Sequence, residues 1–171
     1  MSGNRTRWWS VALAALAAAA TAPAASVERL LSVGETVSGG ARVEAIKAYA
    51  AGAGGVTAAR VQTGAADTEQ AIVVRGGDRL WRVVARVGEA APGGGTIEAV
   101  GRVTVGADGL VVFRADVRRT DGLLADALFA RTAAGVRRRL VIAGERTPIG
   151  DLSRFAAIDV PAANATGDIV F

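Results

Sequence analysis

Apolar and polar residues alternate with a period of two in several stretches of the chain. Between Leu110 and Val117 every second residue is apolar, and Arg114 and Asp116 share the opposite face. Two further stretches alternate in the same way: Trp81, Val83, Ala85 and Val87 in the first, and Ile97, Ala99, Val103 and Val105 in the second. This period is typical of half-buried strands. Glycine-rich breaks such as Asp108-Gly109 separate the stretches and predict tight turns.

The same residues recur along the chain at a nearly constant distance. The pairs Gly34-Glu35, Gly88-Glu89 and Gly144-Glu145 follow one another at intervals of about 55 residues, which is long for a repeat protein. The third copy then gains about two residues between Gly144 and Asn164. One period contains four predicted strands, near 80–87, 96–105, 109–117 and 124–131. The sequence therefore predicts a tandem array of similar modules.

Four short strands in a period of about 55 residues match the size of a β-propeller blade. We expect an all-β fold of tandem four-stranded antiparallel repeats arranged like propeller blades, with a β-sandwich as the alternative. The expected units are a first, divergent repeat at 25–87, a second repeat at 88–143 and a truncated third repeat at 144–171.

Residues 25–171 amount to about 2.7 units, whereas closed propellers use about 4–8 blades. Phe171 ends the third copy inside a predicted strand. This favours a fragment of a longer array over an open stack or a self-associating one.

The N-terminal segment, residues 1–24, has the pattern of a secretory signal peptide. Arg5 and Arg7 precede an apolar run, and Ala22-Pro23-Ala24 supplies an A-x-A cleavage site. The run is shorter than the roughly 20 residues of a membrane span. We predict cleavage between Ala24 and Ala25, with an uncleaved N-terminal anchor, the one membrane contact expected, as the alternative. The mature protein is expected to be secreted or to reside in the cell envelope.

Composition excludes several kinds of chemistry. The 171 residues contain no Cys and no His, so disulfides, thiolate nucleophiles, imidazole ligands and the Ser-His-Asp triad are excluded. The net charge of +4 falls to +2 without the signal, which is a weak field for binding nucleic acid. We therefore expect no cofactor, no metal and no nucleic-acid partner, and a surface polysaccharide or a protein as the partner.

Two segments carry a resemblance to a known family. Asn164–Phe171 spells N-x-x-G-x-x-x-F, with Gly167 as its glycine, and Gly106–Phe113 keeps Gly109 and the phenylalanine but has Gly in place of Asn. The G-E-x-x-P segments ending at Pro92 and Pro148 alternate with these motifs. Together they resemble the bacterial choice-of-anchor tandem-repeat NxxGxxxF proteins.

The resemblance covers the chain after the signal, and the first copy departs most. It has Gly52 for Asn, Ala59 for Phe and Ser38 for Pro. The resemblance implies an exported surface protein of unestablished activity, and it implies no catalytic residues.

The motif residues themselves are expected to have structural roles. Asn164 tolerates the left-handed region and closes a turn, and Gly109 and Gly167 supply positive φ. Phe113 and Phe171 are expected to be the main buried anchors between layers.

Two sets of charged residues are candidates for chemistry. One glutamate recurs in every unit, as Glu35, Glu89 and Glu145. These carboxylates either converge to bind a cation or cleave a glycan, or they accept hydrogen bonds from the amides of their own turns. We favour the second interpretation. The run Arg137-Arg138-Arg139 either contacts an anionic polymer or, as favoured here, forms a solvated edge strand.

The leading functional hypothesis is an exported, non-catalytic β-repeat protein that serves as a surface or extracellular interaction module. The first alternative is an envelope hydrolase or lyase that acts on carbohydrate through the recurrent carboxylates. The second is a binder of anionic polymer through Arg138 and its neighbours.

Overall fold

The computed structural model describes residues 30–106, 108–148, 153–164 and 168–171. The signal segment, the cleavage site between Ala24 and Ala25, and Gly167 lie outside the described residues. Within these ranges no helix has both the length and the apolar character needed to cross a membrane. The regular elements described are one 3₁₀ turn at Ala53–Gly55 and ten strands, so the all-β prediction is confirmed. The strands are β1 (Ala45–Ala51), β2 (Thr57–Gln62), β3 (Gln70–Arg75), β4 (Trp81–Arg86), β5 (Thr96–Val105), β6 (Val111–Arg118), β7 (Leu124–Arg131), β8 (Arg137–Ile142), β9 (Ala162–Ala163) and β10 (Ile169–Val170).

Eight of these strands form two antiparallel sheets of four. The order is β1-β2-β3-β4 in the first sheet and β5-β6-β7-β8 in the second, so each sheet is a simple meander. β9 and β10 form a separate antiparallel pair. Four-stranded antiparallel sheets of this kind are compatible with propeller blades and with a β-sandwich.

The four strands predicted for one period are all present, but they are divided between the sheets. The stretch 80–87 contains β4, the last strand of the first sheet. The stretches 96–105, 109–117 and 124–131 contain β5, β6 and β7 of the second sheet. The three consecutive arginines lie in β8, which is an edge strand as expected.

The sheets recur with the spacing seen in the sequence. β6 follows β2, and β8 follows β4, at the repeat interval of about 55 residues, and β10 follows β6 at a slightly longer one. The pairing of Ile169 with Ala163 corresponds to the pairing of Val111 with Val105. The β9–β10 pair therefore occupies the place of the first hairpin of a sheet.

Both faces of each sheet are apolar. In β6, Val111 and Phe113 belong to the core between the two sheets, whereas Val112 belongs to the core on the other side. Val111 and Val112 point in opposite directions and are both fully buried. The prediction of half-buried strands was therefore wrong for β6, because the second sheet is covered on both sides.

Three apolar cores follow one another through the molecule. The first core joins segment 30–43 to the first sheet, the middle core joins the two sheets, and the last core joins the second sheet to Phe155, Ile158 and Ile169. The first core contains Val37, Val43, Ala59, Val61, Ala71, Val73 and Trp81. The middle core includes Ala58, Ile72, Val74, Val84, Phe113, Ala115 and Phe129. The last core contains Val112, Leu128, Ala130, Val141 and Ile158.

β-Bulges interrupt the predicted alternation. In β4 the register shifts so that Val84 is an extra residue, and Val83 packs in the first core whereas Ala85 packs in the middle core. The prediction that Val83 and Ala85 share a face was wrong, because a bulge reverses side-chain parity beyond it. β5 is also bulged, and its buried residues are Ile97, Val100 and Val105, whereas Ala99 and Val103 are half-buried.

The two motif phenylalanines differ in burial. Phe113 is 1% exposed, and its ring centroid lies 5.4 Å from that of Phe129. Phe171 is 44% exposed, and its ring centroid lies 5.9 Å from that of Phe155. Phe113 is thus an anchor of the middle core as predicted, whereas the expectation of a buried Phe171 was wrong.

Replacing Phe113 with Ala is expected to lower the free energy of unfolding by about 3–5 kcal/mol, because it leaves a cavity beside Phe129 between the sheets. The matched variant Phe171→Ala is expected to lose about 1 kcal/mol or less, since much of that side chain is already in water. Urea denaturation of the purified variants measures both values. Equal losses would contradict the assignment of Phe113 as the anchor.

Candidate functional site

The three Gly-Glu segments form the same turn. Gly34, Gly88 and Gly144 have φ angles of 88°, 88° and 89°, in the left-handed region that glycine adopts without steric cost. In each turn the glycine amide donates to a carbonyl of the following segment, and the amide of that same residue donates back to the glutamate carbonyl. The partner residues are Val43, Ile97 and Phe155, with glycine N···O distances of 2.7, 2.8 and 2.7 Å and return distances of 2.9, 2.9 and 3.0 Å.

The motif prolines lie further along two of these turns. Pro92 is half-buried and Pro148 is exposed. The first turn closes with Ser38 at this place, where the Gly40 amide donates to the Val37 carbonyl at 3.2 Å. The backbone closure of the turn therefore does not depend on proline.

The glutamate side chains are bonded within or beside their own turns. Glu35 accepts a hydrogen bond from the Ser32 amide at 3.1 Å, and Glu145 accepts one from the Ile142 amide at 3.2 Å. The carboxylate of Glu89 instead lies 3.4 Å from the guanidinium of Arg137. Glu145 also pairs with a guanidinium, that of Arg139. No hydrogen bond or ion pair among the described residues joins any two of the three carboxylates.

The N-x-x-G segments form a second recurrent turn at the end of the first strand of each unit. The amides of Gly52, Gly106 and Asn164 each donate to the carbonyl four residues later, at 3.0, 2.8 and 3.1 Å. The Asn164 side chain adds a bond, because its Oδ1 accepts from the Asp168 amide at 2.8 Å. Gly109 has the predicted positive φ of 77°.

The first position of this motif is not left-handed, contrary to expectation. Gly52 has φ −113° and ψ 173°, which is extended backbone, and Asn164 is not among the described residues with positive φ. Glycine is needed at position 52 for a different reason. A Cβ there would lie 2.6 Å from Val105 Cγ1 and 2.7 Å from the Gly106 carbonyl oxygen. The turn of the first unit is thus packed directly onto the turn of the second, and no Asn side chain fits between them.

A charged cluster that the sequence analysis did not identify lies on β6 and β7. Arg114 Nη2 is 2.6 Å from Asp126 Oδ1 and 3.4 Å from Asp116 Oδ1. Asp116 and Asp126 are opposite each other in the register of the two strands. The shared face of Arg114 and Asp116 was predictable from alternation, but the contribution of Asp126 required the pairing of β6 with β7.

The environment shifts the pKa values of the two carboxyl groups in opposite directions. Burial, together with a hydrogen bond to Asp126, raises the pKa of Asp116. Burial also acts on Asp126, but its hydrogen bonds, first that from Arg114, outweigh it and lower the pKa of Asp126. The bond to Asp126 in turn raises the pKa of Arg114.

The same position of the first sheet contains amides. Gln62 is opposite Gln70 in β2 and β3, and these two positions lie one repeat interval before Asp116 and Asp126. Neutral and acidic pairs therefore fill equivalent places, which indicates a structural role for the pair. Within the described ranges, no group of three or more Asp, Glu, His or Cys side chains is arranged to hold a metal ion.

The chain matches the model of one protein family over nearly its whole length. The sequence profile of DUF7453 matches residues 9–171. The chain belongs to DUF7453, a family of unknown function. Searches of curated proteins and of solved structures found no match. The matched region spans all the turns and sheets described in this DUF7453 protein.

Replacing Gly52 with Asn, the residue of the N-x-x-G-x-x-x-F motif, is expected to destabilise the protein by about 1–3 kcal/mol, because the added Cβ overlaps the second unit. The matched variant Gly106→Asn is expected to change stability by about 0.5 kcal/mol or less, since a Cβ at position 106 would lie 3.4 Å from its nearest neighbour, Asp108 Oδ1. Thermal denaturation followed by circular dichroism distinguishes the two. A stable Gly52→Asn variant would contradict the packing of one turn on the next.

Asp126→Asn is expected to lower the free energy of unfolding by about 1–2 kcal/mol at neutral pH, since it removes the carboxylate closest to Arg114. Asp116→Asn is expected to leave stability unchanged or raise it, because it removes a carboxylate whose ionised form is disfavoured by burial. Denaturant titrations at pH 7 measure both.

The pH dependence of stability follows from the opposite directions of the two pKa shifts. The folded pKa of Asp126 is lowered, so its stabilising effect is present above its unfolded pKa of about 3.9 and is lost as pH falls through the folded value. The folded pKa of Asp116 is raised, so its contribution is present below the unfolded value and is lost as pH rises through the folded value. Asp126→Asn should therefore flatten the acid side of the stability profile, and an unchanged profile would contradict this assignment.

Proposed function

We propose that this protein is an exported, non-catalytic β-repeat protein, propeller-like in the arrangement of its sheets, that serves as an interaction module at the cell surface or outside the cell. The observation that carries the proposal is that the recurrent residues build turns. All three Gly-Glu turns use the same reciprocal pair of backbone hydrogen bonds. Residues shared by every unit therefore support shape, which is the pattern of repeat proteins that present extended binding surfaces.

The export part of the proposal rests on the N-terminal sequence. Two arginines, an apolar run and an A-x-A site follow one another within segment 1–24. The similarity of the N-x-x-G-x-x-x-F segments to exported repeat proteins supports the same location. An exported chain without Cys is stabilised by packing alone, which suits a bacterial envelope or the extracellular space better than the disulfide-rich secreted proteins of eukaryotes.

The enzymatic alternative is favoured by one observation, the carboxyl pair Asp116 and Asp126 with pKa values shifted apart. Glycosidases, however, hold their two carboxyl groups about 5–9 Å apart, with the scissile bond between them. Here the two groups share a hydrogen bond, and Arg114 neutralises the charge. The recurrent glutamates are likewise bonded within or beside their turns, so the non-catalytic assignment is the better supported.

The test is expression of the full chain in a bacterial host, followed by analysis of the exported fraction. The expected product has Ala25 as its first residue by mass spectrometry. Leu13→Arg, which interrupts the apolar run, should keep the chain in the cytoplasm, whereas the matched Leu13→Val should not. A wild-type chain that stays in the cytoplasm with residues 1–24 intact would contradict export.

The same exported protein is then incubated with neutral and acidic polysaccharides, and reducing ends and unsaturated products are measured. No product is expected. A cleavage activity that is lost in Glu89→Gln with Glu145→Gln, or in Asp116→Asn, while the variant remains folded, would instead establish the enzyme.

A further inference from the structure

Two clefts of similar size lie along one face of β8, and arginine dominates both. The turn cleft, of about 440 Å³, is lined by Arg119, Arg139, Arg146 and Arg154, with glycines from the Gly93-Gly94 and Gly144 turns. The strand cleft, of about 460 Å³, is lined by Arg82, Arg86, Arg131 and Arg137. Each cleft contains one carboxylate, Glu145 in the turn cleft and Glu89 in the strand cleft.

Positive charge is concentrated in these clefts. Their lining comprises eight arginines and two glutamates, a net side-chain charge of +6. The other described residues comprise nine cations and twelve carboxylates, a net charge of −3. Two of those carboxylates pair with arginines of the clefts, Asp78 with Arg82 and Asp121 with Arg119. With these two included, the region has a net charge of +4 and the other described residues have −1, so the weak net charge of the whole chain conceals a basic region.

The turn cleft contains two opposed arginines, of which Arg154 donates a hydrogen bond to the Gly144 carbonyl of its own turn. Arg146 and Arg154 form an antiparallel bridge, and the bonds from Thr147 to Ser153 and from Phe155 to Glu145 flank it. This makes them a non-hydrogen-bonded pair, the kind in which side chains are closest. Like charges in such a position are destabilising. Arg146 has no hydrogen bond or ion pair with another described residue.

The same bridge in the other two turns contains no such pair. The equivalent residues are Thr36 with Arg42 in the first turn and Ala90 with Thr96 in the second. The turn therefore closes equally well without two opposed arginines. Arg154 is bonded to its own turn, and the first turn has Arg42 at the equivalent position, so the residue left to explain is Arg146. An anion held between the two guanidinium groups would offset their repulsion.

In the strand cleft, Arg82 pairs with Asp78 and Arg137 with Glu89, whereas Arg86 and Arg131 have no carboxylate partner among the described residues. Burial and the nearby Arg82 lower the pKa of Arg131, which has no acidic partner among the described residues. The Nε of Arg86 is buried without a hydrogen-bond partner. Arg137 and Arg139 connect this cleft to the turn cleft, because alternate residues of a strand share a face and lie about 7 Å apart.

The first sheet provides an internal comparison. A cleft of about 400 Å³ lies at the corresponding place, lined by Gly39, Gly40, Thr63, Thr68, Glu69 and Arg86 among others. The charges of its one arginine and one glutamate cancel. The repeat thus forms a cleft of this shape without a basic lining.

We propose that the turn cleft and the strand cleft together bind a linear acidic polysaccharide, whose carboxylate or sulfate groups are held by the guanidinium groups of both clefts. This rests on the proposed function and names its partner class. Guanidinium groups bind planar or tetrahedral oxyanions with paired hydrogen bonds. No aromatic side chain lines either cleft for stacking of bases, which favours a saccharide over a nucleic acid.

The structure moves the binding surface away from the residue favoured by sequence. Arg138 was the centre of the predicted anionic-polymer site, but alternation along β8 places it on the face opposite Arg137 and Arg139. Arg138 lines neither cleft. It therefore serves as a control residue of the same strand.

The test measures binding of the purified chain to heparin and polygalacturonate oligosaccharides by isothermal titration calorimetry over a range of salt concentrations. Arg146→Ala with Arg154→Ala should weaken binding roughly tenfold or more and make it less dependent on salt. The control Arg42→Ala with Arg138→Ala removes the same charge outside both clefts and should change affinity by about twofold or less. Circular dichroism verifies that both variants are folded.

Three results would overturn the inference: no binding to either saccharide, equal losses in the two double variants, or tighter binding to single-stranded DNA of matched length. The assay uses purified protein, so failure of export leaves it unaffected. If the saccharide is bound and also cleaved, binding in the clefts is supported and the proposed non-catalytic function is contradicted. If the protein is exported and inert but binds no saccharide, this inference alone fails.

Discussion

A β-sheet with two apolar faces has to be covered on both sides, and both sheets of this protein are of that kind. Segment 30–43 covers one face of the first sheet, and the second sheet covers the other. Phe155, Ile158 and Ile169 pack on the far face of the second sheet. Each sheet is therefore stable only within a stack. The short β9–β10 pair, placed as the first hairpin of a further unit, continues the same order.

The recurrent turns determine how one sheet follows the next. The Gly-Glu turn leads from the last strand of one unit into the first strand of the next, and positive φ at its glycine allows the reciprocal hydrogen bonds. The N-x-x-G turns pack on one another, which leaves no room for a side chain at Gly52. Clefts form where a Gly-Glu turn meets the last strand of a sheet, and arginines at this place give the protein its one concentrated charge among the described residues.

Local pattern predicted the strands, the spacing of the units and the slightly longer third copy, because these depend on neighbouring residues and on turn chemistry. It did not predict what depends on pairing between strands. The bulge at Val84 reverses parity only because β3 stays in register beside it. Asp126 joins Arg114 only through the pairing of β6 with β7. The arginine clefts combine residues from four separate segments, and no short window of sequence contains them.

The most direct measurement of sheet stacking is a ¹³C-edited NOESY spectrum of the purified chain. The account predicts cross-peaks between the Gly52 α-protons and the Val105 methyl groups, and between the Gly109 α-protons and the Val56 methyl groups, since each pair connects one unit to the next. The ring contact of Phe113 with Phe129 within one sheet provides the reference. Cross-peaks within the second sheet without those between the units would contradict the stacked arrangement.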